Sequence, residues 1–387
     1  MKQFLFLLIS LFSISITAQL DWDAYKDPGG DFYRIILDPN VSFSYDDSDF
    51  TSIVERSFLA RLGATFNVDI VRERSLLNVN ATMTPVFDYI KPKNVASGES
   101  DFTFGQNIFA EYTYYFKERR GFHVQPNISL NNRFGDENYL NTNRVGVNFG
   151  YGRLENISTV YQSLRIQKQN NNSGEALVDM SQDQLFQLAD VIRQLDFNQK
   201  LDSRYRNIDN QSIFLENAED LGFVLNDFFS IANMIDAYRF ERSASNVAQG
   251  NLYQIGFTQT WSDFGGLEGQ NLTGRAILAR AMNQNWHVQH NFSFQYDLDS
   301  DYNIMYSNRF TYVPIGRTQI SFGGNASYRK FAPLEGAFNF SAFSTMNYFV
   351  SPQVSLTGNM NLSLLNLGED FAQNRLNFFF GIRYFAI

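Results

Sequence analysis

The feature that most constrains this chain is a two-residue alternation sustained over segments longer than the strands of ordinary globular proteins. Near the C-terminus, Val354, Leu356, Gly358, Met360, Leu362 and Leu364 interleave with Gln353, Ser355, Thr357, Asn359, Asn361 and Ser363. One side is small or apolar throughout and the other polar throughout, as in a strand whose two faces meet two different media. The pattern recurs in Ile320, Phe322, Gly324, Ala326 and Tyr328 against Gln319, Ser321, Gly323, Asn325 and Ser327. It recurs again in Phe58, Ala60, Leu62, Ala64, Phe66, Val68 and Ile70 against Arg61, Gly63, Thr65, Asn67 and Asp69. A soluble sandwich also alternates, but its wet face favours Lys, Glu and Thr. Here the polar face is mostly Asn, Gln, Ser, Thr and Gly, which suits a crowded or hydrated lumen. Tyr or Phe recurs near strand ends, at Tyr45, Tyr89, Phe116, Phe134, Tyr296, Tyr312 and Tyr348, like an interfacial girdle.

The composition sharpens this. The chain carries 39 Phe and 20 Tyr in 387 residues, yet its mean hydropathy of -0.28 is too polar for a helical membrane protein. Something other than a core must absorb those rings. No stretch approaches the roughly 20 apolar residues of a transmembrane helix, so a membrane would be crossed by strands. With no cysteine, disulfides, thiolate catalysis, cysteine-ligated metal and a lipidated N-terminal cysteine are excluded. A net charge of -9 and a pI near 5.0 argue against nucleic acid as a partner. Residues 1-18 read as a signal peptide, with Lys2 before an apolar run from Phe4 to Ile16 and a small-residue cleavage site ahead of Gln19.

Counting alternating segments predicts an all-β transmembrane barrel of about 14 antiparallel strands with an α-helical insertion. The strands fall at 32-46, 56-73, 75-91, 101-117, 121-134, 140-151, 250-262, 270-283, 285-298, 302-314, 316-329, 337-349, 351-365 and 373-386. The first half of the barrel is then 19-151 and the second half 250-387. Long connections alternate with tight ones, apart from the brief turn Asp299 to Asp301 and the stretch 152-249, where the period switches to that of a helix. Ser181 and Gln184 form a capping box ahead of Leu185, Leu188, Ala189, Ile192 and Leu195. Asn226 can cap a helix through Phe228, Phe229, Ala232, Ile235 and Tyr238, and Ile157, Val160, Tyr161 and Leu164 predict another near the start of the insertion. With both termini periplasmic, strand parity puts this insertion on the periplasmic side.

The charged residues define the chemistry available. Arg61, Arg133, Arg144, Arg309 and Arg375 fall on the polar face, with Asp69, Asp88, Glu111 and Asp297 as opposites. They either form an anion-attracting constriction or pair with these carboxylates and with inward-folded loops. His123 falls on the lumen side. His287 and His290, an odd number apart on one strand, face opposite ways and cannot share a metal. His290 falls on the lipid side opposite Asn308, with Ser307 on the other face, so a solvated or girdle histidine is the default reading and a histidine-based esterase the lesser one. Asp297-Leu298-Asp299-Ser300-Asp301 imitates the start of a calcium loop, but Tyr302 and Asn308 stand where its Gly and bidentate Glu belong. The external loops are acidic through Asp46, Asp47, Asp49, Asp136, Glu137, Asp263, Glu268, Glu369 and Asp370, which serves solubility or cation bridging to lipopolysaccharide. No phosphate loop, nucleophile elbow or zinc motif is present, so no metal site or cofactor is expected.

Taken together, these residues resemble Gram-negative outer-membrane barrels of the porin-like kind over nearly all of Asp31 to Ile387 outside the insertion. The final strand, with Phe378, Phe380, Tyr384 and Phe385, looks like the C-terminal aromatic strand that such proteins present to the barrel-assembly machinery, although it ends in Ile387. The stretches Gly150 to Glu155 and Asp196 to Arg206 are loosely similar to helical insertions in envelope barrels of the Bacteroidota type. The resemblance implies a cell outer-membrane location among lipid and lipopolysaccharide. The expected function is a channel or export conduit for small polar solutes or polymer, with the insertion as plug or docking domain. The alternatives are a non-conducting anchor that holds a periplasmic partner and, third, a membrane-embedded hydrolase.

Overall fold

The computed structural model describes residues 20–45, 54–92, 97–135, 140–172, 178–196, 203–225, 227–241, 247–262, 269–283, 285–297, 301–315, 318–330, 336–351, 354–366 and 372–384. Fourteen strands form one antiparallel sheet in chain order: β1 (Gly30–Tyr45), β2 (Val54–Val71), β3 (Ser75–Pro92), β4 (Glu99–Tyr115), β5 (Phe122–Phe134), β6 (Leu140–Asn156), β7 (Ala248–Ser262), β8 (Gly269–Ala281), β9 (Trp286–Asp297), β10 (Tyr302–Ile315), β11 (Thr318–Lys330), β12 (Ala337–Ser351), β13 (Val354–Asn366) and β14 (Ala372–Tyr384). Each strand pairs with the next, and among the described residues no pairing joins β14 back to β1. Every predicted strand is present. Between β6 and β7 lie four helices, α1 (Ser158–Asn172), α2 (Gln182–Asp196), α3 (Ser203–Asp220) and α4 (Phe228–Glu241). Among the described residues no helix is long and apolar enough to cross a membrane.

The register turns the alternation into two faces. Asp69, Asn78, Glu111 and Asn127 are successive partners across β2 to β5, and Ile70, Leu77 and Tyr112 follow one step along on the opposite face. The apolar face stays exposed although it is apolar: Phe149, Ile255 and Phe292 are about half exposed. An apolar band of this breadth is stable only against lipid.

Aromatic rings bound the band at both ends. Trp286 stacks on Tyr312 (ring centroids 4.5 Å apart) and Phe122 packs edge-on against Tyr151 at one end; Tyr302 with Tyr328 and Phe104 with Phe134 lie at the other. Tyr302 and Tyr312 share one strand and one face. At a rise of ~3.4 Å per residue and a tilt near ~40°, their separation projects to about 25 Å, the height of an outer-membrane apolar band.

The hydrophobic core lies outside the sheet. Its buried members come from α1 to α4, from the N-terminal segment through Leu20, Trp22 and Tyr25, and from Ala281 at the foot of β8. Trp22 stacks on Tyr161 of α1 at 4.7 Å, and Phe214 of α3 stacks on Tyr238 of α4 at 4.5 Å. The predicted capping box is present, with Gln184 N donating to Ser181 Oγ and Ser181 N to Gln184 Oε1. Helix α3 was not foreseen, because its buried positions make no continuous stripe: Phe214 and Ala218 face inward while Ile208 is exposed. The cap of α4 is Asp227, whose Oδ1 accepts Ser230 N at 2.8 Å; Asn226 lies outside the described residues.

Two glycines make the neck between sheet and helices. Gly152 and Gly250 have φ of 93° and 127°. A Cβ on Gly152 would stand 2.2 Å from Asn251 O, and one on Gly250 2.3 Å from Arg153 O, so no other residue fits without moving the backbone. Beyond them β6 and β7 stay paired as far as Asn156 and Ala248, and Ile157 N donates to Val247 O to close the neck.

Candidate functional site

By register, Arg61, Asp69, Glu111, Arg133, Arg144, Arg309 and Arg375 share the polar face of the sheet. They do not form one group. Arg61, Arg133, Arg144 and Arg375 lie toward the end of the sheet away from the helices, whereas Asp69 and Glu111 lie near the helical end. Among the described residues Arg61, Arg133, Arg144 and Arg309 form no ion pair, and Arg375 Nε donates to Asn377. The sequence reading missed Arg34, Arg275 and Arg329, which register puts on the same face, Arg275 beside Gln254.

Beneath Asp69 and Glu111 the helical end is floored by a charge network that was also unforeseen. Glu155, near the end of β6, is buried and takes two hydrogen bonds of 2.7 Å from Arg119 Nε and Nη2. Arg120 and Arg153 approach the same carboxylate at 3.6 and 3.5 Å. Arg153 donates to the Arg72 and Glu73 carbonyls in the β2–β3 turn and lies 5.4 Å over the Tyr115 ring.

The network extends to the N-terminal segment and the helices. Arg120 donates to the Asp23 and Tyr25 carbonyls, Arg119 donates to Asp27 O, and Arg193 of α2 grips Asp27 through two bonds of 3.1 Å. Burial works against the charge of Arg119, but its hydrogen bonds and proximity to Glu155 override this and hold it above the ordinary guanidinium range. The helices are therefore latched to the sheet by way of the N-terminal segment, which Arg193 grips through a bidentate pair with Asp27 and which Arg119 and Arg120, gathered by Glu155, hold by its backbone carbonyls. Tyr161 adds a latch by donating to the Asn283 and Trp286 carbonyls in the β8–β9 turn.

Above this floor a cavity of about 310 Å³ opens on the polar face, lined by Asp69, Asn78, Glu111, Tyr115, Gln254 and Arg275, with His123, Leu252 and Ile277 at its base. A chain of amides fixes one wall: Gln254 Nε2 and Asn148 Nδ2 donate to Gln125 Oε1, and Gln125 Nε2 donates to Thr113 Oγ1. His123 joins it through Gln254 at 3.2 Å. On the apolar face a second hollow of about 750 Å³ lies over Gly274 and Ala276, rimmed by Phe122, Phe149, Tyr253 and Phe292.

The remaining candidates are placed as follows. His287 and His290 face opposite ways: His287 Nε2 lies 2.7 Å from Ala248 O, and His290 Nδ1 lies 2.8 Å from Tyr306 OH on the apolar face. His290 is paired with Asn308 across the strands, and Ser307 is on the other side. Asp297 N donates to Asp301 O at 2.7 Å, and residues 298–300 between them lie outside the described residues. Among the described residues no group of three or more His, Asp or Glu could hold a metal ion. Phe378 and Phe380 project from the apolar face of β14, and Tyr384 ends that strand as the backbone partner of Val354; Phe385 lies outside the described residues. So do the acidic loop residues Asp46, Asp47, Asp49, Asp136, Glu137, Asp263, Glu268, Glu369 and Asp370.

No protein-family model matches the chain, and no curated protein matches it. Solved structures that align with it include a mutant of the Rhodopseudomonas blastica porin, 8% identical over 91% of this chain and 99% of that one with a TM-score of 0.28. OmpT, an outer-membrane protein of Vibrio cholerae, aligns at 7% identity over 95% of this chain and 99% of that one, with a TM-score of 0.29. At such scores the likeness carries no argument, and the architecture rests on the strand register itself.

Proposed function

We propose that the chain is a β-barrel of the cell outer membrane that conducts small polar solutes or polymer, with its helical domain as a periplasmic cap. The observation that carries this reading is the sidedness of the sheet, with an apolar aromatic-bounded band on one face and unpaired arginines on the other. Strands β1 and β14 must close on each other in lipid, because every unsatisfied backbone group there costs several kcal/mol. The helical domain buries its apolar surface in its own bundle and with the N-terminal segment, which favours a lid at the mouth over a plug threaded through the lumen. The aromatic face of β14 suits recognition by the barrel-assembly machinery, and the acidic external loops suit cation-bridged lipopolysaccharide.

Single-channel conductance tests this, comparing refolded mature protein with a variant in which 157–247 is replaced by a short turn. Conductance of the deletion alone marks the helical domain as a gate; silence of both overturns the channel reading. A second reading, an anchor for a periplasmic partner, is favoured by Phe228 and Phe229, whose rings stand 77% and 78% exposed on the helical domain. Silence of both proteins would leave that reading in place.

A further inference from the structure

The cavity above the charge floor is unusual in keeping opposite charges apart. Asp69 and Glu111 stand in one row across β2 and β4, joined through Asn78, whose Nδ2 donates to Asp69. Arg275 stands two rows nearer the helical end on the same face, where His123, Gly150, Gln254 and Arg275 are successive partners from β5 to β8. Arg275 and Asp69 are the charged side chains close enough to act on Glu111. Even so, among the described residues neither Arg275 nor Glu111 forms a hydrogen bond or an ion pair. A guanidinium and two carboxylates facing one cavity without collapsing onto each other leave room for a molecule that satisfies both. At about 310 Å³ the cavity lies at the small end of ligand sites and is too small for a polymer segment.

We propose that this cavity is a binding site for a small zwitterion, an α-amino acid with an aliphatic side chain. Its carboxylate is taken by the Arg275 guanidinium, its ammonium by Asp69 and Glu111, and its side chain by Leu252 and Ile277 at the base. The bidentate fork of arginine matches a carboxylate, and two acceptor carboxylates match the donors of an ammonium. The inference deepens the channel reading and rests on the sheet enclosing its polar face; it replaces "small polar solute" with a charge pattern.

The test is ligand-observed NMR saturation transfer on the refolded mature protein in detergent, with L-leucine as probe. 4-Methylpentanoate, which lacks the ammonium, and 3-methylbutylamine, which lacks the carboxylate, are the comparators. L-Leucine is expected to bind at least about tenfold more tightly than either, since each comparator leaves one charged partner unmatched. Arg275→Gln and Glu111→Gln are each expected to weaken leucine by a similar factor, while Asn361→Ser, distant on the same face, leaves it unchanged. Two substitutions keep the test decisive if one variant fails to refold. Equal binding of leucine and the amine overturns the proposal in favour of a cation site, and absence of leucine binding by protein that conducts overturns it outright. Leucine binding by protein that does not conduct upholds the site and removes the channel reading.

Discussion

The helical cap and the sheet wall use the same residues in opposite senses. In the cap, Leu188, Ile192 and Phe214 are wholly buried; on the wall, Phe378 and Phe257 stand in the open on the outward face. No difference in residue type separates the two sets. The medium does, because the cap faces water and must turn its apolar stripe inward, whereas the wall faces lipid and gains nothing by hiding it. The latches between them are accordingly polar, made by guanidinium and hydroxyl donors on backbone carbonyls. A cap that had docked by apolar contact would have had to expose that surface whenever it opened.

On this contrast, removing the carboxylate that gathers the floor arginines has the largest effect, and it reaches the cap through the grip of Arg119 and Arg120 on the N-terminal segment. Glu155→Gln leaves three guanidiniums around a neutral amide and is expected to destabilise cap docking by about 3–5 kcal/mol, the usual cost of stranding buried charge. Fluorescence of Trp22, which stacks on Tyr161, reports it in a variant with Trp261 and Trp286 replaced by Phe. Loss of the compact, heat-modifiable folded-barrel band on unheated gels in this variant would show that the network holds the wall instead.

Equal truncations on the two sides sharpen the contrast. Leu188→Ala should cost about 2–5 kcal/mol of cap stability, because the bundle cannot refill the cavity. Phe257→Ala, on the lipid side, should leave barrel stability nearly unchanged, yet Phe257→Arg should cost about 2–4 kcal/mol if that position lies near the bilayer midplane. Urea titrations in detergent and in liposomes measure all three. A wall that tolerates Phe257→Arg in liposomes would not be facing lipid.

The same contrast explains what the sequence revealed. All fourteen strands were legible because lipid and lumen impose opposite demands at every step, so alternation runs unbroken through segments such as Val354 to Leu364. The cap was legible only where one face was uniformly apolar, as in α2, and not in α3, where Asn210 is buried and Ile208 exposed. The floor was illegible for a different reason. Arg119 meets Asp27 across 92 residues and Arg193 meets Asp27 across 166, and nothing local in any of the three announces a partner. Arg275 is intermediate: alternation assigns its face, but only the register brings it to the cavity shared with Glu111.

A smaller effect is expected at the start of α2. Ser181→Ala removes the hydroxyl that accepts Gln184 N and should cost about 1 kcal/mol, all of it in the cap. Gln184→Ala in the same background should then cost little more, since the box acts as a unit. Additive losses in the cap's thermal midpoint would show two independent bonds.

The smallest expected effect has the opposite sign. Burial, and to a lesser degree the like charge of Asp27, push the Asp190 carboxyl above its ordinary range, although a hydrogen bond from Tyr25 partly offsets them. One of its oxygens, Oδ1, is buried with no hydrogen-bond partner. A carboxyl raised in the folded state binds its proton more tightly there than in the unfolded chain. The penalty is therefore fully present above the raised value and is relieved as pH falls through it toward the ordinary carboxylate range. Asp190→Asn should consequently raise the cap's thermal midpoint slightly at pH 7.5 and flatten its dependence between there and pH 5. Tyr25→Phe, which removes the offsetting bond, should steepen that dependence. If Asp190→Asn instead lowers the midpoint at pH 7.5, the anion is part of the latch through Tyr25, and the ionic network reaches one turn further into the cap than Asp27 and Arg193.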